Sequence, residues 1–162
     1  MNPSDALLLR RIRLVLVLFI AGLVASGVTA FPLQWELDLL VRWSGADLSA
    51  PDGGLRWWIA RVHQGLTDTN ARHPFLAYGT DWLAFGHIII AMFFVGPLLD
   101  PVRNAWVLRI GLVACAAVFP LALICGPIRG IPLYWRLIDC SFGLIGAIPL
   151  LLVLRWIKKL PQ

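Results

Sequence analysis

The chain has 162 residues, of which 59% are hydrophobic and 14% are charged, and its formal net charge is +5. An ordinary soluble domain is about 45–50% apolar and about 25% charged, so this composition excludes that class and indicates a protein embedded in a membrane. The positive charge does not indicate nucleic-acid binding, because the basic residues flank the apolar stretches. We therefore expect a single all-α membrane domain over residues 1–162. Its expected partners are membrane lipids, and we do not expect it to bind nucleic acid.

Four apolar segments are long enough to cross a bilayer as helices, at residues 14–31, 78–97, 106–126 and 134–154. They predict a polytopic membrane protein built as a four-transmembrane-helix bundle. The polar residues 34–77 separate the first two segments. The periodicity of their Trp and Leu residues predicts a helical loop with two short helices that lie at the membrane interface.

The first apolar segment supports two interpretations. It has no charge from Leu14 to Phe31 and follows Arg10, Arg11 and Arg13. A basic start, an apolar run and a small-residue exit also describe a cleavable signal peptide. The run is longer than the apolar core of a usual signal peptide, which favours a retained helix.

The distribution of charge predicts the orientation. If both termini are cytoplasmic, the cytoplasmic side has only Asp5 and Asp100 as acidic residues, and most of the basic ones: Arg10, Arg11, Arg13, Arg103, Arg109, Arg155, Lys158 and Lys159. Cytoplasmic loops carry an excess of Lys and Arg, so we expect the 34–77 loop to be periplasmic. This predicts a multi-pass protein of the bacterial inner (plasma) membrane.

The fourth segment carries two charges inside its apolar run, Arg136 and Asp139. At about 1.5 Å per residue, Asp139 lies about 9 Å from the middle of the bilayer, where charged groups are costly and usually functional. Arg136, Asp139, Gly143 and Gly146 share one helix face, which predicts a packing face of small residues below the charges. On the second segment, His87 belongs to a similar stripe of small and polar residues, and we expect the two stripes to dock.

These residues suggest three functions. Arg129, Arg136 and Asp139, with Asp81 and His87 nearby, would bind an anionic lipid headgroup or a partner at the outer-leaflet side. His87 and Asp139 are the candidates for proton transfer in a membrane enzyme acting on a lipid-linked substrate. Alternatively the protein is an accessory subunit of a larger membrane complex. Arg136 and Asp139 could also simply neutralise each other and fix the depth of the helix.

In the accessory-subunit hypothesis the long loop would dock on other membrane-protein subunits, with Trp57 and Trp58 as the anchors. We expect no metal and no cofactor. His63, His73 and His87 lack the spacing of metal ligands, and Cys115, Cys125 and Cys140 lie in or beside apolar segments as small hydrophobic residues do. The chain contains no common hydrolase or nucleotide-binding motif.

Two stretches invite a comparison with a known family. One is Thr80-Asp81-Trp82-Leu83-Ala84-Phe85-Gly86-His87, and the other is Arg136-Leu137-Ile138-Asp139 followed by Gly143 and Gly146. This layout resembles the VanZ-like family of small four-span bacterial membrane proteins. The resemblance covers mainly residues 80–154 and implies a role at the cell envelope, with lipid-linked or glycopeptide-related ligands.

Overall fold

The computed structural model describes residues 2–160, which are helical almost throughout and contain no β-strand. The helices are α1 (Pro3–Ala30), α2 (Leu33–Ser44), α3 (Leu55–Arg72), α4 (Tyr78–Phe93), α5 (Val95–Leu99), α6 (Ala105–Pro120), α7 (Gly126–Ile128) and α8 (Leu133–Ile157). A 3₁₀ turn at Pro74–Ala77 precedes α4, and a π turn at Leu121–Cys125 joins α6 to α7. The prediction of an all-α fold is confirmed.

Four helical stretches are long and apolar enough to cross a membrane: Pro3–Ala30, Pro74–Leu99, Ala105–Ile128 and Leu133–Ile157. The protein is therefore a multi-pass membrane protein, with the four spans in the predicted order. Each span is longer than its predicted apolar run, and the largest difference is at the first span, where the helix includes the basic residues Arg10, Arg11 and Arg13. The loop between the first two spans is helical, as predicted, since α2 and α3 form there.

Prolines interrupt two of the spans. Proline has no backbone N–H to donate, so Pro97 leaves the carbonyl of Phe93 without its usual helical partner. The second span accordingly breaks at Phe94, between α4 and α5. In the third span Pro120 directly precedes the π turn, a form often found as a local bulge at functional sites.

The described chain divides into two compact units. The first contains the residues up to Gly22 and those from Ile90 onwards, and the second contains Leu23–Ile89.

The core of the first unit is the antiparallel pair of α6 and α8. Cβ atoms built at two glycines show how closely these helices approach: one at Gly111 would lie 2.9 Å from Leu150 Cδ1, and one at Gly146 would lie 3.2 Å from Cys115 Sγ. Leu108, Leu150 and Val153 are completely buried. The small residues are therefore what lets the two spans pack closely.

The second unit contains the helical loop and the span segments attached to it. A Cβ atom at Gly27 of α1 would lie 2.8 Å from the carbonyl oxygen of Ala84 and 3.1 Å from His87 Cβ, so α1 and α4 touch there. Helix α2 ends at Gly45, whose positive φ of 61° lets its N–H donate to Val41 O. The chain then turns back, and α3 pairs with α2.

Candidate functional site

Arg136 lies across the backbone of Gly126. A Cβ atom at Gly126 would overlap Arg136 Cδ and approach Cγ to 2.7 Å, so only glycine leaves room for this side chain. The Nε atom is buried and has no hydrogen-bond partner. The aliphatic part of Arg136 is therefore held against the end of the third span, while the residue as a whole remains half-buried.

The turn between α7 and α8 places Arg129 beside the same glycine. The backbone N–H of Arg129 and that of Ile131 both donate to Gly126 O, at 3.1 and 2.9 Å. Gly130 completes the turn with a φ of 69°, which favours glycine. The side chain of Arg129 is exposed, so Gly126 is contacted by Arg136 through its side chain and by Arg129 through its backbone.

Asp139 is half-buried one turn further along α8, but it does not neutralise Arg136. Over residues 2–160 the one ion pair within 4.0 Å joins Asp38 and His63, and no hydrogen bond includes the guanidinium of Arg136. All five N–H groups of this guanidinium thus lack an acceptor from the described chain. The hypothesis that Arg136 and Asp139 pair with each other has no support in this geometry.

The glycine face of α8 is a packing face, as its spacing indicated. A Cβ atom at Gly143 would lie 2.5 Å from the carbonyl oxygen of Cys115, and its other close neighbours, Val118 and Phe119, also belong to α6. We expected this face to meet the stripe that contains His87. The atoms nearest to Gly143 and Gly146 belong instead to the third span.

Asp81 lines an aromatic cleft of about 310 Å³ in the second unit. The other lining residues are Phe31, Tyr78, Trp82 and Phe85. The rings of Trp82 and Phe85 stand almost perpendicular, with centroids 5.7 Å apart. A carboxylate among aromatic rings does not attract anions, so the cleft around Asp81 does not fit the anionic ligand with which the sequence analysis associated this residue.

His87 forms a local hydrogen bond. Its Nδ1 lies 2.9 Å from the carbonyl oxygen of Leu83, one turn earlier in α4, so Nδ1–H donates to that oxygen. The ring is half-buried. The candidate proton-transfer residue is thus oriented by its own helix.

The structure forms a different acid–base pair, which sequence analysis missed. His63 Nε2 of α3 lies 2.6 Å from Asp38 Oδ1 of α2. Gln34 Nε2 donates to both Asp38 and Thr67, at 3.2 and 2.9 Å, and Asn70 donates to Gln34 at 3.2 Å. The hydrogen bonds from His63 and Gln34 hold the pKa of the Asp38 carboxyl below its ordinary value. This network joins α2 to α3.

The signal for this network was present in the sequence. Gln34 and Asp38 are four residues apart, and His63, Thr67 and Asn70 follow at intervals of four and three residues. Each set therefore occupies one helix face. The aromatic periodicity of the same helices indicated their apolar faces instead.

The tryptophans of the loop differ in exposure. Trp57 and Trp58, the predicted anchors for a partner, are half-buried, and the guanidinium carbon of Arg61 lies 5.1 Å from the ring centroid of Trp57. Trp35 and Trp43 of α2 are instead 62% and 84% exposed. The most exposed tryptophans of the loop therefore lie on α2.

Nothing in the described chain resembles a metal centre: within residues 2–160 no three His, Cys, Asp or Glu side chains come together as ligands. The three cysteines are free thiols. No family model matches the chain, and no curated protein or solved structure is significantly similar to it. Among the residues that the sequence indicated, Arg136, with its buried and unpaired Nε, is the strongest candidate for a binding site.

Proposed function

We propose that this multi-pass membrane protein binds the phosphate of an anionic lipid headgroup at the turn between α7 and α8, through Arg136 and Arg129. The observation that carries the proposal is the guanidinium of Arg136, which is fixed across Gly126 and has no acceptor from the described chain. A guanidinium matches phosphate because it offers several donors in a rigid plane. Arg129 adds a second positive charge from the same turn.

Energetics also favour an external acceptor. A buried donor without a partner costs about 1–3 kcal/mol, and a charged group at the end of an apolar span costs more. An arginine that only set the depth of α8 would reduce this cost by pairing with Asp139. The absence of that pair in residues 2–160 leaves the guanidinium available for a ligand.

The location that we propose is the outer leaflet of a bacterial inner membrane. The charge distribution supports cytoplasmic termini, which would put the α7–α8 turn and the α2–α3 loop on the periplasmic side. The resemblance to the VanZ-like family supports a role at the cell envelope. Labelling of single cysteines by a membrane-impermeant reagent in intact cells would test this topology, with Asp52→Cys or Lys159→Cys introduced into a variant in which Cys115, Cys125 and Cys140 are replaced by alanine. Labelling at Asp52 alone is expected.

The binding proposal is tested by native mass spectrometry of protein extracted gently from its own membranes. We expect the wild type to retain phospholipid and Arg136→Gln to retain one phospholipid fewer. Arg56→Gln is the matched control, because it removes one charge from an exposed residue on the side proposed to face the periplasm. A wild-type chain without lipid, or equal loss in both variants, would contradict the proposal.

The two alternative functions have less support. The enzyme hypothesis depends on His87 and Asp139, and His87 uses one ring nitrogen within its own helix. For the accessory-subunit hypothesis, the exposed Trp35 and Trp43 are better anchors than Trp57 and Trp58. A second protein that co-purifies after mild extraction and is lost in Trp43→Ala would favour that hypothesis.

A further inference from the structure

A basic cleft lies between α6 and α8 at the opposite end of these helices from Gly126. Its volume is about 450 Å³, within the usual range for ligand sites. The residues that line it come from the two helices, the turn before α6 and the residue that follows α8: Val102, Ala105, Arg109, Leu151, Leu154, Arg155, Ile157 and Lys158. Three of these carry a positive charge and none is acidic.

The helices explain why the cleft has this shape. Leu151, Leu154, Arg155 and Lys158 are spaced three, one and three residues apart, which puts them along one face of α8. On α6, Ala105 and Arg109 are one turn apart on the facing side. The small side chain of Ala105 leaves space between two helices that are tightly packed further along, where Leu150 is completely buried.

The lining of the cleft changes from apolar to basic along its length, which matches the acyl chain and the headgroup of an anionic phospholipid. Leu151, deeper along the span, is 49% exposed and presents an apolar wall. Arg155 and Lys158 follow one and two turns nearer the end of α8, and both are exposed, as is Arg109. Apolar surface thus passes into a cluster of cations over about 10 Å of helix.

We infer that this cleft binds an anionic phospholipid. Its phosphate would lie among Arg109, Arg155 and Lys158, and an acyl chain would run along Leu151 and Leu154. Basic pockets between transmembrane helices are suited to acidic headgroups, and each basic residue near the membrane surface contributes about five-fold in affinity. A free phosphate ion would bind the basic residues but would not cover the apolar side chains of Leu151 and Leu154. The site is independent of the one proposed at Gly126.

The experiment is a lipid titration of delipidated protein in detergent, followed by native mass spectrometry. The probes are palmitoyl-oleoyl phosphatidylglycerol and palmitoyl-oleoyl phosphatidylcholine, which share acyl chains and differ in net charge. The test variant is Arg109→Gln/Arg155→Gln/Lys158→Gln. The control variant is Arg10→Gln/Arg103→Gln/Lys159→Gln, which removes the same charge from exposed residues outside the cleft. Both are also prepared with Arg136→Gln, so that lipid bound near Gly126 is counted separately.

We expect the wild type and the control to prefer phosphatidylglycerol, and the test variant to bind it at least about ten-fold more weakly at one site. Ala105→Phe keeps every charge but fills the cleft, so it should weaken the same site even if the triple variant is unstable. Equal weakening in test and control variants, or no preference for phosphatidylglycerol, would overturn the inference. Competition by inorganic phosphate at the affinity of the lipid would assign the cleft to a free anion instead and also overturn it.

Discussion

The side chain of Arg136 occupies the space that any residue larger than glycine would fill at position 126. This contact joins the start of the fourth span to the end of the third and fixes where the guanidinium points. The position of the Arg136 guanidinium therefore depends on Gly126, which has no side chain of its own.

Gly126→Ala should displace Arg136 while leaving the fold intact. The overlapping atoms are methylene carbons of a flexible side chain, which can move aside at little cost. We expect lipid retention to fall as it does in Arg136→Gln, with a change in stability below about 1 kcal/mol. Native mass spectrometry and thermal unfolding in detergent measure the two effects. Gly22→Ala is the control, since a Cβ atom there meets nothing within 4 Å. Full lipid retention in Gly126→Ala would show that the contact does not position the charge.

Gly143→Ala should weaken the packing of the third and fourth spans. Its Cβ atom would lie 2.5 Å from the backbone oxygen of Cys115, and backbone cannot move aside without separating the helices. We expect a loss of about 1–3 kcal/mol, seen as a lower melting temperature by circular dichroism in detergent. Gly146→Ala, which would meet only Cys115 Sγ at 3.2 Å, should cost less. Gly86 is a helical glycine with open space around it, so Gly86→Ala is the control. The same melting temperature for Gly143→Ala and Gly86→Ala would contradict the close approach at Gly143.

The α2–α3 pair should lose stability in acid. Because the folded state holds the pKa of Asp38 below its ordinary value of 3.8, the stabilisation is complete above that value and is lost as the pH falls through the lower, folded-state pKa. Hydrogen exchange of α2 amides between about pH 5 and about pH 2 would follow this change. Asp38→Asn should reduce the dependence, and Asp68→Asn should not. Hydrogen bonds from Ser49 also lower the pKa of Asp47, so part of the dependence remains in Asp38→Asn. Identical profiles for wild type and Asp38→Asn would contradict the prediction.

Trp43 should contact the lipid interface. Helix α2 starts at Leu33, only three residues after the first span ends at Ala30, and Trp43 is 84% exposed on it. Tryptophan is enriched at the level of the headgroups. In liposomes that contain brominated lipid, Trp43→Phe should therefore remove more quenchable fluorescence than Trp57→Phe does. Equal losses would mean that the exposed face of α2 is directed away from the bilayer.

The spans could be predicted because length and apolar content are sufficient to identify a membrane helix. Their ends could not be predicted as well: α1 begins at Pro3, so the helix includes Arg10, Arg11 and Arg13 and extends well before the apolar run. Long basic side chains allow this, since their charged ends can reach the aqueous phase while their stems remain on the helix.

Contacts between residues on different helices could not be predicted. The spacing of Gly143 and Gly146 indicated a packing face but contained no information about which span would cover it. The pairing of Asp38 with His63 depends on how two helices meet, which no single-helix pattern specifies. Arg136 could be predicted as a candidate because charges in an apolar segment are rare.

The hydrogen bonds between α2 and α3 can form only after α3 has been synthesised. His63 follows Asp38 by 25 residues, and Thr67 follows Gln34 by 33. At about 5–20 residues per second, α2 exists for about one to seven seconds before the groups that complete its polar face have been made. During that interval Gln34 and Asp38 have each other and water as partners, although Trp35 beside them favours lipid. The nascent chain must therefore keep α2 at an aqueous boundary until α3 arrives on the same side of the membrane.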